Sequence, residues 1–124
     1  MNVADERRKI LDGTYPSRVI QGRQNKHIEG TREFEQNQEK MRKIGSEPAI
    51  INVDPQSLVN KHKGTGTIYF SKTSPDYPRE DIDTGEIIGK AWDRKKEEYI
   101  DTSIITISYS KTGVHIYPNN IKRE

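Results

Sequence analysis

Histidine is the side chain best suited to acid–base chemistry near neutral pH, and the chain contains three of them, at positions 27, 62 and 115. Lys111 lies close to His115 in the sequence. Two groups that titrate in this range can share the roles of base and acid, and a lysine can stabilise a developing anion. Cleavage of RNA by its own 2′-hydroxyl needs a base for the hydroxyl, an acid for the leaving oxygen and a cation for the phosphorane. The chain contains no cysteine, which excludes disulfides, thiolate metal sites and a cysteine nucleophile.

The residue pattern around His115 predicts an antiparallel hairpin with one polar face. A two-residue turn over 112–113 would place Ser110 opposite His115, with Lys111 and Val114 closing the turn. Strand alternation then puts the isoleucines on one face. The other face collects Thr106, Ser108, Ser110, His115 and Tyr117. Outer faces of antiparallel sheets are commonly rich in hydroxyl side chains, so a purely structural role for His115 is the alternative.

The composition indicates that a sheet carries the core. The chain has sixteen isoleucines and only two leucines, and β-branched side chains favour strands. Although only 30% of the 124 residues are hydrophobic, the net charge of +2 is too small to keep the chain unfolded. Basic and acidic residues are nearly balanced, so any phosphate-binding surface must be local. No apolar run approaches the ~20 residues of a membrane span, and we expect no membrane partner.

Helix signals fall in the first half of the chain and strand signals in the second. We predict helices over 3–11, about 31–43 and 55–63, with an extended polar arm over 14–26. Strands are predicted over 50–53, 66–71, 86–92, 99–109 and 114–117, the last three as a meander, with a loop over 72–85. The resulting class is α+β, with helices followed by an antiparallel sheet.

Two further patterns have more than one interpretation. Trp92 and Tyr99 flank the first turn of the meander, where we expect a cross-strand pair; stacking of one ring on a base is the alternative. Residues 81–86 partly match a calcium loop but lack several ligands, so we expect a solvated acidic loop.

Several segments together resemble the polymorphic toxin type 50 family over about residues 20–118. The most specific are Lys26-His-Ile with Gly30-Thr31, and the Tyr-Ser-Lys, Gly and His-Ile run from Tyr109 to Pro118. Members occur at the C-termini of bacterial polymorphic toxins and of phage minor head proteins. The resemblance implies a metal-independent ribonuclease with a four-stranded antiparallel sheet, of the barnase–EndoU–colicin–RelE fold group. It implies a toxin domain over 23–120, after a helix and arm over 1–22 that could link it to a larger toxin, and before a tail over 121–124.

The resemblance also implies catalytic roles for His27, His115, Lys111 and Ser110, with no metal and no cofactor. The candidates for substrate binding are Arg23, Lys26 and Lys63, which flank the family motifs, and Thr106, Ser108 and Tyr117 on the polar strand face. The alternative for His27 is a histidine at a helix start that bonds the backbone near Gly30. His62, at a predicted helix end, is expected to be structural.

The leading hypothesis is therefore an endoribonuclease toxin that leaves a 2′,3′-cyclic phosphate. Its partners would be substrate RNA and a cognate immunity protein, acidic where it covers the site. It would act in the bacterial cytoplasm, delivered as part of a secreted or virion-associated protein. The alternative is a non-enzymatic C-terminal module of a phage minor head protein that binds nucleic acid or a capsid partner. An inactive decoy is a third hypothesis, and the presence of both histidines counts against it.

Overall fold

The computed structural model describes residues 1–120 and confirms the α+β class, with helices leading into antiparallel sheets. All three predicted helices are present. They are α1 (Val3–Leu11), α3 (Arg32–Arg42) and α4 (Pro55–His62). Each begins at a side chain that accepts a hydrogen bond from the first turn: Asn2, Thr31 and Asp54, respectively. Within residues 1–120 no helix has the length and apolar character of a membrane span.

The polar arm over 14–26 is extended only in its first part, so the prediction of an extended segment is wrong for its end. A short helix α2 (Gln21–Gln24) is followed by a 3-10 turn over Asn25–His27. The amides of Arg23 and Gln24 both donate to the carbonyl of Ile20, which begins the helical turn. Sequence periodicity misses this element because a single turn contributes no repeating apolar stripe.

The strands form two antiparallel sheets rather than one. The four-stranded sheet has the order β2-β3-β6-β7, from β2 (Thr67–Tyr69), β3 (Arg79–Asp83), β6 (Ile104–Tyr109) and β7 (Val114–Pro118). The three-stranded sheet has the order β1-β4-β5, from β1 (Ile50–Ile51), β4 (Gly89–Asp93) and β5 (Glu98–Thr102). The predicted four-stranded sheet is therefore present, and the second sheet was not predicted.

The predicted loop over 72–85 contains β3, so the loop prediction is wrong for its second half. Its acidic residues indicated solvent, but Glu80 is fully buried. The Glu80 carboxyl group accepts from the amides of Gly64 (3.0 Å) and Gly66 (2.8 Å) and from the Tyr109 hydroxyl (2.8 Å). Asp81, likewise buried, accepts from the Thr106 hydroxyl at 2.8 Å. Buried carboxyl groups with several donors belong to the sheet interior, which overturns the expected solvated acidic loop here.

The predicted strand over 99–109 is broken at Ser103, and its halves belong to different sheets. The Thr102 hydroxyl donates to the Asn119 carbonyl at 2.8 Å, while the Ser103 carbonyl accepts from the amide of Thr84. These bonds turn the chain from one sheet into the next. The three-strand meander is therefore wrong, although the Trp92–Tyr99 cross-strand pair is confirmed, with ring centroids 5.1 Å apart.

The hairpin of β6 and β7 keeps its predicted faces in a different register. His115 lies opposite Ser108 instead of Ser110, and residues 110–113 form the loop. The Ser110 hydroxyl donates to the Gly113 carbonyl at 2.7 Å and closes this longer loop. Gly113 also passes close to the arm, where an added Cβ would lie 2.3 Å from the Arg18 carbonyl oxygen. A shift of two residues preserves strand parity, so the apolar and polar faces stay as predicted.

The core lies between the apolar face of the four-stranded sheet and the helices. Ile105, Ile107 and Ile116 are fully buried there, packed with Ile10 of α1 and Val59 of α4. Complete burial of an isoleucine side chain contributes about 1.5–3 kcal/mol each. The opposite, polar face remains available for a site.

The arm is attached to β7, the edge strand of the four-stranded sheet, by hydrogen bonds along its free edge. Val114 donates to the Arg18 carbonyl and accepts from the Ile20 amide, both at 2.8 Å. Two residues further on, the Gln24 side chain replaces the missing strand: its amide nitrogen donates to the Ile116 carbonyl and its oxygen accepts from the Ile116 amide, both at 2.8 Å. Gln24 is completely buried, so these bonds have no competition from water.

We predict that Gln24→Ala lowers the free energy of unfolding by roughly 2–5 kcal/mol, because two buried backbone groups of Ile116 lose their partners at about 1–3 kcal/mol each. Gln21→Ala is the matched control: Gln21 is exposed on the same short helix, and its side chain donates to the neighbouring Asn25 side chain. It should change stability by at most about 0.5 kcal/mol. Urea unfolding measures both, and equal effects of the two variants would contradict the role of Gln24.

Candidate active site

The polar face of the four-stranded sheet carries two rows of side chains across its strands. The strand pairing places Arg79 beside Ser108 and Ser108 beside His115 in one row. The next row contains Asp81, Thr106 and Tyr117. His115 is therefore fixed on a rigid edge strand, next to hydroxyl groups and one guanidinium.

His27 reaches this face from the arm and lies parallel to His115. The two imidazole rings have centroids 6.1 Å apart and an angle of 2° between their planes. The Tyr117 ring lies beside both, 5.3 Å from His27 and 6.0 Å from His115. Two residues from distant parts of the sequence thus meet because Gln24 holds the arm against β7 three residues earlier.

One hydrogen bond fixes the orientation of His27. Its Nδ1 lies 3.0 Å from the Ala49 carbonyl oxygen. A carbonyl only accepts, so Nδ1 carries a proton and donates, which leaves Nε2 for another partner. This contact replaces the backbone contact near Gly30 that the structural alternative predicted. Burial lowers the pKa of His27 below its usual value, with a smaller lowering by Lys26, while the Ala49 hydrogen bond opposes both.

The pKa of His115 is lowered to about 4. Burial is the main cause, and the positive charges of His27, Arg23, Lys26 and Arg79 add to it. His115 is therefore uncharged at neutral pH and able to accept a proton. The same cations that lower its pKa would attract an anion to the space beside it.

A cleft of about 480 Å³ opens beside His115. Arg23 and Lys26 from the arm line it together with Ser108 and Ser110, and residues 73–77 of the loop before β3 line it as well. Arg23 Nη1 donates to the Ser110 hydroxyl at 3.2 Å. Cations and hydroxyl donors around an opening of this size can hold a phosphate group.

The structure brings together most of the residues singled out in the sequence: His27, His115, Ser110, Ser108, Tyr117, Arg23 and Lys26. Of these, His27 and Tyr117 lie beside His115 but do not line the cleft. Three other candidates do not line it either. Lys111 is exposed in the loop after β6, and Thr106 is fully buried under its bond to Asp81. Lys63 follows α4 and donates to the Ser17 hydroxyl at 3.4 Å.

Sequence reasoning missed three contributors to the site. Arg79 lay in the segment predicted as loop, and its Nε is buried without a hydrogen-bond partner among the described residues. Gln24 and the Ala49 carbonyl act through geometry that no residue pattern encodes. The alternation of buried and exposed side chains along a strand could have pointed to Arg79. In β3 the acidic residues hide this alternation, because they look like surface residues in the sequence. Residues 1–120 contain no group of three or more potential metal ligands among His, Cys, Asp and Glu.

We predict that stability falls between pH 6.5 and pH 4 partly because of His115. With its pKa lowered in the folded state, His115 binds a proton more readily in the unfolded chain, so stability is complete above pH 6.5 and is lost as pH falls towards 4. The contribution is at most about 3 kcal/mol. His115→Gln, which cannot titrate, should flatten this part of the stability profile measured by urea unfolding. An unchanged slope in the variant would show that the environment of His115 does not lower its pKa.

A family model for bacterial toxin 50 (Ntox50) matches residues 19–118. No curated protein and no solved structure matches the chain significantly. The matched region contains the arm from Val19 onwards, both histidines and both sheets, and the α+β architecture is compatible with the barnase–EndoU–colicin–RelE fold group. With 100 of its 124 residues covered by the model (19–118), the chain belongs to the bacterial toxin 50 family.

Proposed function

We propose that this toxin domain is a metal-independent endoribonuclease. The observation that carries the proposal is the parallel pair of His27 and His115 beside a cleft rich in cations and hydroxyl groups. Imidazole nitrogens form hydrogen bonds in the plane of the ring, so a phosphate group at a common edge of the two parallel rings would be within reach of both. This arrangement suits an internal transfer at phosphorus, which requires one proton acceptor and one proton donor.

The scissile phosphate would lie in the cleft, held by Arg23 and Lys26 and by the hydroxyl groups of Ser108 and Ser110. These cations stabilise the extra charge that develops on the phosphorane oxygens. Arg79 lies in the same row of the sheet as His115 and adds a further positive charge near it. Arg23, Lys26 and Arg79 thus take the role in stabilising the phosphorane that the sequence analysis gave to Lys111. Lys111 is exposed, and this position suits contact with a neighbouring phosphate instead.

His115 is the proposed base. Its pKa of about 4 keeps it uncharged at neutral pH, and its ring lines the cleft. It removes the proton of the ribose 2′-hydroxyl, and the 2′-oxygen then attacks the adjacent phosphorus. The new bond closes a 2′,3′-cyclic phosphate as the bond to the 5′-oxygen breaks.

His27 is the proposed acid. The Ala49 carbonyl fixes the proton on Nδ1 and favours the charged ring, so that Nε2–H can be given to the leaving 5′-oxygen. The negative charge of a bound phosphate also raises the pKa of a nearby imidazole, which offsets the lowering by burial. Because a free enzyme of this kind would damage its own host, we also propose an acidic immunity protein over the cleft and action in the cytoplasm of a target bacterium.

The first prediction is that the purified protein cuts total bacterial RNA into discrete fragments in excess EDTA. His27→Ala and His115→Ala should each lower the rate at least about a hundredfold, the usual range for a general acid or base. His62→Ala is the matched control, because His62 ends α4 and lies outside the cleft. Intact RNA with the parent protein would favour the non-enzymatic module of a phage minor head protein.

The second prediction separates the roles of the two histidines. A substrate with a good leaving group, such as a nucleoside 3′-(4-nitrophenyl phosphate), needs no acid but still needs a base. His27→Ala should therefore recover most of its activity on this substrate, whereas His115→Ala should stay inactive. Release of nitrophenolate measures both rates. Recovery in His115→Ala alone would reverse the assignment.

A further inference from the structure

A second pocket lies on the other side of the imidazole pair. Its volume is about 300 Å³, and His27 forms part of its wall, whereas His115 lines the first cleft. Tyr117, which is next to both rings, also lines it. The two histidines thus separate two compartments that share one boundary.

The two compartments differ in chemistry. The first contains Arg23, Lys26 and several hydroxyl groups, and Asp76, Tyr77 and Tyr109 also line it. The second is lined mainly by apolar and aromatic groups, including Met41, Trp92, Tyr117 and Pro118. Among residues 1–120 the charged side chains that line it are Arg94 and Glu47, and Glu47 also pairs with Arg42 outside the pocket at 2.7 Å. The lining itself therefore carries one cation and one carboxylate, compared with two cations from the arm in the first cleft.

The indole of Trp92 carries a cost that simple packing does not explain. Its Nε1 is buried and has no hydrogen-bond partner among the described residues. A phenyl ring could form the same edge contact with Tyr99 without burying an unpaired N–H. Compared with a phenyl ring, the indole gives the pocket lining a larger aromatic surface.

We propose that this pocket binds the nucleobase of a nucleotide next to the scissile phosphate. The inference rests on the proposed ribonuclease function and adds the part of the substrate that the cleft does not hold. A base is a planar group with an apolar face and a polar edge, and RNA-binding proteins commonly stack such groups on aromatic side chains. The pocket volume, at the lower end of the roughly 300–1,000 Å³ typical of ligand sites, admits one such group rather than a folded RNA element.

The position of the pocket supports the same ligand. A phosphate that contacts His115 and His27 has a sugar on either side. The pocket beyond His27 is next to this position, so a base attached to one of these sugars can enter it.

Trp92 is the only tryptophan of the chain, so its fluorescence reports on this pocket directly. The ligands are 2′-O-methyl dinucleotides, which cannot be cleaved because the nucleophile is blocked, and the same compounds with either base replaced by hydrogen. The dinucleotides should quench the fluorescence saturably and bind roughly tenfold more tightly than one of the two abasic analogues. Equal affinities of all three ligands would overturn the proposal.

Two variants of α3 locate the binding. Met41→Ala removes a side chain of the pocket wall and should weaken dinucleotide binding at least threefold. Lys40→Ala, an exposed neighbour outside this pocket, should leave it unchanged. Unchanged binding in Met41→Ala would place the base elsewhere and overturn the proposal. RNA cleavage in EDTA by the parent protein is assayed separately, so cleavage without base-dependent quenching refutes the pocket alone, and quenching without cleavage refutes the nuclease.

Discussion

The pairing of the Gln24 side chain with Ile116 is the interaction on which the site depends. An edge strand leaves backbone N–H and C=O groups without partners, and burying them unpaired is costly. Here the carboxamide supplies one donor and one acceptor, as a neighbouring strand would. Gln24 lies shortly before His27 in the arm, and Ile116 directly follows His115 on β7. The same pair of hydrogen bonds therefore fixes the arm where His27 can approach His115. The need to cover an edge and the need to assemble a histidine pair are met by the same contact.

Burial and positive charge act on the histidines in the same direction, and this shapes the chemistry. Covering β7 with the arm desolvates both imidazoles, and the arm also brings Arg23 and Lys26. Each effect disfavours the charged imidazole in the free protein. Under the proposed function, the negative charge of a phosphate in the cleft would act in the opposite direction and favour a protonated histidine.

Helix starts and strand faces, which depend on neighbouring residues, were predicted from the sequence. The prediction failed where buried polar side chains were taken for surface residues. The capped helices follow from Asn2, Thr31 and Asp54, and strand parity alone separated the two faces of β6 and β7. The hairpin register was wrong by two residues because a Ser110 hydroxyl closes the loop, which turn statistics do not specify. The strand β3 was missed because Glu80 and Asp81 resemble surface residues until their donors are known. The approach of His27 to His115 needs the arm to be folded, and no pattern within either segment contains that information.

Under the proposed function, the site also separates the two kinds of contact that nucleic-acid recognition uses. Contacts to phosphates position a substrate but carry no sequence information, whereas contacts to bases discriminate. In this fold Arg23 and Lys26 come from the arm and lie on the His115 side, which also has Tyr77 and Tyr109. Trp92 and Tyr117 come from the three-stranded sheet and β7 and lie on the His27 side, together with Arg94. The two groups of residues are on different elements, so one can change without disturbing the other. Under the proposed function, the arm and the edge strand would keep the chemistry fixed, while changes at Trp92 and its neighbours would alter the choice of RNA.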